Sequence, residues 1–193
     1  DVPPQRALVA GIHEISPRPV TMIDGSHMIG SFPKRGFFRS TWGMANYRRG
    51  EPIYAEMLRH ETVPLLLLDF AQLAEAVGAP GQELQPTALR LFENDRAVLR
   101  DNYIEHWGPV WVAGKGLAGG QPEFTILIPG RYTPEGEAVA IDGRPVAKGS
   151  VIELARGRHQ LFAEGSSVRL LRWGEQLGRP SGPPPRRPMF QGF

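Results

Sequence analysis

Asp24-Gly-Ser-His27 is the stretch of this chain whose residue types come nearest to a reaction centre. It follows a short, β-branched apolar run at 20–24 that reads as a buried strand. The carboxyl end of a strand in an α/β unit is where ligands bind. Asp24 and His27 placed there could serve a small hydrolase. The plainer alternative is that Asp24 and Ser26 cap a turn, as short polar side chains do. A serine-hydrolase elbow requires Gly-x-Ser-x-Gly at a strand-to-helix turn, and Gly25-Ser26-His27 does not supply it. The five histidines are His13, His27, His60, His106 and His159. None pairs at helical or zinc-protease spacing, so no metal site is expected. No Gly-x-Gly-x-x-Gly and no Walker lysine motif occurs, and no nucleotide cofactor is expected either. The glycine-rich run at 115–120 reads as a loop between strands.

A second candidate lies in the basic, aromatic stretch that follows. From Lys34 to Arg59 there are six basic residues (Lys34, Arg35, Arg39, Arg48, Arg49, Arg59) and two acidic ones (Glu51, Glu56). Phe32, Phe37, Phe38, Trp42 and Tyr47 are interleaved with them. Such an excess attracts phosphates or anionic head groups. A sugar phosphate could stack on Trp42 or Tyr47 while the arginines pair with its phosphate. The competing reading is that the aromatics fill the core and the charges form a solvated face. A net charge of only +2 on 193 residues makes nucleic acid an unexpected partner.

Positioning these groups requires a mixed α/β frame. Residues 5–15 carry Leu8, Val9, Ile12 and Ile15 at helical spacing and end before Pro17. Residues 26–49 read as irregular. Glu51-Pro52 could open a helix through Tyr54, Met57 and Leu58. The apolar run at 63–68 predicts a second buried strand, and is far too short to cross a bilayer, which takes about 20 residues. Helical patterns follow at 69–77 and 87–103, and the character turns to β over 102–114. Beyond that, short strands are punctuated by glycines. Asp142-Gly143 between alternating apolar runs is a hairpin signal, because the tight primed turn needs positive φ. Gly149, Gly157 and Gly165 recur at a spacing that suits an antiparallel meander. The proline-rich tail from 178 favours extended chain and cannot build a core. The absence of cysteine excludes disulfides and thiolate sites. The expected fold is α+β: an α/β subdomain with a small partly parallel sheet at 1–103, an antiparallel β meander or sandwich at 104–175, and a tail at 176–193. The opening Asp1-Val-Pro-Pro reads as the start of a piece of something larger, and no leader peptide is visible.

Three stretches together carry a resemblance. They are IDGSHMIG at 23–30 running into FRSTWGM at 38–44, LRDNYIEHWGPVWVAG at 99–114, and FTILIPGRY at 124–132 with IDG at 141–143. They resemble the soluble C-terminal region of bacterial polytopic membrane glycosyltransferases, the group related to protein O-mannosyltransferases and aminoarabinose transferases. The resemblance implies a parent enzyme using a polyprenyl-phosphate-linked sugar. Its catalytic carboxylate would lie between transmembrane helices outside this chain. The chain itself would be a non-catalytic, periplasmic domain, tethered through its parent to the inner membrane and assisting acceptor or sugar-phosphate binding. The candidate contact surface comprises Asp24, His27, Lys34, Arg35, Arg39 and Trp42, with His106 and Trp107 where the two halves meet. A free-standing carbohydrate-binding or adhesion-like module, resting on the β half alone, is the other reading beside the hydrolase.

Overall fold

The computed structural model describes residues 2–25, 27, 29–36, 41–79, 84, 89–118, 121–162 and 169–185; of residues 2, 3, 41, 42 and 169 it describes the main chain alone. At its centre are three short parallel strands. β1 (Met22–Asp24) pairs on one side with β2 (Lys34–Arg35) and on the other with β3 (Leu65–Leu67). β1 and β3 are buried along their whole length, because helices cover both faces of the sheet.

Successive side chains alternate between those faces. Met22, Leu65, Leu67, Val110 and Val112 pack against Leu8, Ile12 and Ile15 of α1 (Val2–Ile15). Ile23, Leu66 and Trp111 pack on the other side. There they meet Leu58 of α3 (Tyr54–His60), Leu73 of α4 (Ala71–Ala76) and Leu99 of α5 (Glu93–Asn102). The crossover from β2 to β3 carries α3 and also α2 (Thr41–Arg48). The sequence reading treats 26–49 as irregular, and α2 corrects it. Gly43 and Asn46 lower its local helix propensity, and burial of Tyr47 at 2% exposure compensates through tertiary packing.

A hairpin of β4 (Tyr103–Trp107) and β5 (Val110–Leu117) turns at Gly108-Pro109. β5 pairs with β3 at its start and with β12 (Arg169–Trp173) at its end. Beyond β12 come β7 (Gly130–Glu135) and β10 (Ile152–Leu154). One eight-stranded sheet therefore runs continuously across residue 103. β6 (Glu123–Ile126), β11 (Gly157–Phe162), β8 (Val139–Ile141) and β9 (Arg144–Val146) form a second sheet in that order. A separate core of Leu117, Phe124, Ile126, Tyr132, Ile141, Leu161 and Leu171 joins them. The α+β class stands, with a mixed, partly parallel sheet followed by antiparallel sheets.

The strand order is not a meander. β7 lies between β10 and β12, and β11 between β6 and β8, which are non-local pairings. The predicted hairpin forms between β8 and β9, where Asp142 has φ 50° and Gly143 φ 75°. Open space surrounds Gly143, so only its backbone conformation resists a side chain. Gly143→Ala is expected to lose about 1 kcal/mol in urea denaturation, the cost of left-handed backbone for a residue with a Cβ. An unchanged midpoint would contradict that conformation. Gly149 and Gly157 also have positive φ, while Gly165 lies outside the described residues. Lys115, expected in a loop, is in β5 and donates to the Asp101 carbonyl at 2.6 Å.

Candidate functional site

Asp24 ends β1 at 1% exposure and is enclosed by partners. Its Oδ1 accepts from the His27 amide at 3.0 Å, and its Oδ2 from the Ile29 amide at 3.3 Å. The Lys34 ammonium stands 2.6 Å from Oδ2, and the Asp69 carboxyl lies beside Asp24. The two amides and the ammonium together engage both carboxylate oxygens. Burial alone would raise the Asp24 pKa. The Lys34 hydrogen bond and charge, with the Ile29 amide and Asp69, outweigh it and hold the carboxyl below its usual 3.8. Lys34 also donates to the Ile29 carbonyl, and Asp69 accepts from the Gly25 amide at 3.2 Å. Gly25 is required here, because a Cβ would come within 2.0 Å of the Phe70 ring. This cluster is a brace that ties the turn after β1 to β2 and to the end of β3. The turn-capping reading of Asp24 is the one that fits. His27 meets Asp24 through its main chain, and holds φ 58°.

The other predicted residues distribute around this brace. Arg35 leaves it for an exposed pair with Glu61. Arg39 lies outside the described residues, as does the Trp42 side chain. His106 and Trp107 are nearer than the sequence shows. Asp24 pairs with Leu67, Leu67 with Val110, and Val110 with Trp107. Three steps of about 4.8 Å put Asp24 and Trp107 about 14 Å apart along one row of the sheet. The proline-rich tail covers the outer end of that row. Trp107 donates to the Gly182 carbonyl at 3.1 Å and lies against Gly11 of α1, while Pro184 lies against Gly108. The tail adds no core of its own, but it is pinned to the sheet.

His106 is buried in a network that the sequence does not reveal. Its Nε2 donates to the Gly178 carbonyl at 2.8 Å, which leaves Nδ1 to accept from Arg172 at 3.3 Å. Arg172, 7% exposed, forms a bidentate pair with Glu135 at 2.7 and 3.1 Å and donates to the Glu105 carbonyl. Burial is the largest influence and lowers the His106 pKa below 6.5; the Gly178 hydrogen bond opposes it, the charges of Arg172 and Arg179 reinforce it, and Glu135 opposes it least. The folded protein therefore holds His106 neutral while the unfolded chain protonates. That contribution is complete above about pH 6.5 and is lost as pH falls below it. Between pH 7 and pH 5 the wild type is expected to lose stability more steeply than His106→Gln, by up to about 1.4 kcal/mol per pH unit. Equal slopes in paired urea titrations would contradict the neutral assignment.

Two cavities adjoin this network. One, of about 250 Å³, is bounded by His106, Glu135, Lys148, Arg172, Gln176 and Arg179. The other is an open cleft of about 770 Å³ between the end of α1 and the ends of β7 and β12. Trp173 walls it, with the Arg131–Glu175 ion pair, Gln176, Arg18 and Glu14 around it. Gly130 lets the indole in, since a Cβ there would come within 2.5 Å of Trp173 Nε1. That buried N–H has no hydrogen-bond partner among the described residues. Gln176 has φ 48°, an uncommon conformation for a non-glycine residue, and belongs to the segment that separates the two cavities.

The cleft is absent from the sequence-predicted surface. Trp173 is visible there only as the last residue of an apolar strand pattern, and the cleft around it is assembled from the end of α1, the start of β7 and the chain that follows β12. Among the described residues no group of three or more histidines and carboxylates is placed to hold a metal ion. No family model, curated protein or solved structure matches this chain.

Proposed function

We propose that this chain is a non-catalytic saccharide-recognition domain, working outside the cytoplasm beside the membrane-embedded part of a glycosyltransferase that uses a polyprenyl-phosphate-linked sugar. The observation that carries the recognition role is the cleft walled by Trp173. An aromatic wall with a few polar groups at its margin suits a ligand whose one face is C–H and whose rim is hydroxyl. Arg131, Glu175 and Gln176, with Arg18 and Glu14 from the end of α1, are among the groups at that margin. The stretch at 124–132, one of those that carry the resemblance, contributes Gly130 and Arg131 to the cleft.

Asp24 argues for a structural role in its own cluster. Both of its oxygens are engaged by main-chain amides and Lys34, which favours binding over hydrolysis as the work of this chain. No helix among the described residues is long and apolar enough to cross a membrane. The anchoring would therefore come from the parent chain. A free-standing carbohydrate-binding module would use the same cleft. About ten apolar segments of some 20 residues upstream in the reading frame support the glycosyltransferase parent, and their absence supports the free module. For recognition itself, a glycan array probed with the purified chain is expected to give hits that Trp173→Ala loses. An array without hits, or hits that survive the substitution, would overturn it.

A further inference from the structure

The smaller cavity carries a charge imbalance that the saccharide reading does not use. Lys148, Arg172 and Arg179 bring three cations to it, against the single carboxylate of Glu135. Glu135 is engaged by Arg172 through two hydrogen bonds, and Arg179 reaches only its Oε1, at 3.5 Å. Lys148 has no ion-pair partner among the described residues. The Arg172 guanidinium is buried and held from behind by Glu105 and His106. Arg179 and Lys148 are exposed at the mouth. Four of the five Arg172 N–H groups are committed to Glu135, Glu105 and His106, so Arg172 offers one remaining Nη2–H while Arg179 and Lys148 supply the adjustable charge above it, an arrangement that recognises a compact oxyanion with several acceptor oxygens.

We propose that this cavity is a phosphate-binding site in which Arg179, Lys148 and the Gln176 amide close over the anion above the buried Arg172. Net positive charge excludes a metal cation as its occupant, and the buried guanidinium excludes an apolar one. The site stands on cations that the Trp173 cleft does not contain. Gln176 borders both cavities, so a phosphate here lies beside whatever the cleft holds.

The test is a titration of the full chain with inorganic phosphate, mannose 1-phosphate and mannose, followed by phosphorus NMR and calorimetry. Both phosphates are expected to bind, more weakly as salt rises. The double variant Lys148→Gln/Arg179→Gln, altered only at exposed side chains, is expected to bind them at least tenfold more weakly with an unchanged melting temperature. Trp173→Ala is expected to leave inorganic phosphate binding within twofold, which separates this site from the saccharide cleft. Tighter binding of mannose 1-phosphate than of phosphate identifies a sugar-borne group, and equal binding identifies free phosphate. Absent phosphate binding, or binding that the double variant leaves intact, would overturn the assignment.

Discussion

Asp24→Ala is expected to lose about 3–5 kcal/mol of folding stability, because it strands the Lys34 ammonium beside a buried strand end. The Lys34 side chain is 10% exposed and the Asp24 side chain 0%, so solvent screens this pair poorly. The substitution also removes the acceptor for the His27 and Ile29 amides, which hold the turn between β1 and β2. Lys34→Met alone has the mirror effect, leaving a buried carboxylate. The double variant Asp24→Ala/Lys34→Met is expected to recover part of the loss, since an apolar pair replaces a buried ion pair with little penalty. Urea denaturation of all three is the check. A single variant as stable as wild type would show that the pair does not brace the fold. The acid limb carries the same sign. Asp24 has a lowered pKa, so its contribution is complete above about pH 3.8 and fades as pH falls through the folded value.

The second large effect belongs to Trp173. Trp173→Ala is expected to weaken saccharide binding at least tenfold, or about 1.4 kcal/mol, by removing the aromatic wall of the cleft. Trp173→Phe keeps a wall of smaller area and is expected to fall between the two. Trp173 also packs against the core beneath α3, α4 and α5 and against the core of the second half, so its removal lowers stability as well. Arg131→Gln supplies the control for that ambiguity. It lies at the cleft margin, its side chain is 56% exposed, and it is expected to weaken binding with little change in melting temperature. Calorimetry with the strongest array hit measures both. Equal affinity in wild type and Arg131→Gln would place the ligand elsewhere.

What could be read from the sequence was what is determined locally. Asp142-Gly143 announces its hairpin because two consecutive positive φ values can be met by few residue pairs. The leucines of β3 announce a strand covered on both faces, and Glu51-Pro52 marks the approach to α3. Asp24 was visible as a turn cap. Its chemical status was not, because Lys34 and Asp69 arrive from 10 and 45 residues away. The same limit hid the Arg172 network, whose partners Glu135 and His106 are separated from it by 37 and 66 residues. Glycine spacing located strand ends but could not say that β7 would sit between β10 and β12. The cleft was least legible of all, being assembled from the end of α1, the start of β7 and the chain beyond β12.

The most direct measurement is an NMR titration that follows the four tryptophan indole N–H resonances as a saccharide identified on the array is added. Trp173 Nε1 is buried beside Gly130 without a partner among the described residues, which makes its proton a sensitive reporter of the cleft. Assignment comes from the resonance missing in Trp173→Phe. The predicted result is that this resonance shifts first and furthest, while that of Trp111, on the opposite side of the sheet from α1, stays still. A saccharide that binds while the Trp173 resonance does not move would contradict the assignment of the cleft as the recognition site.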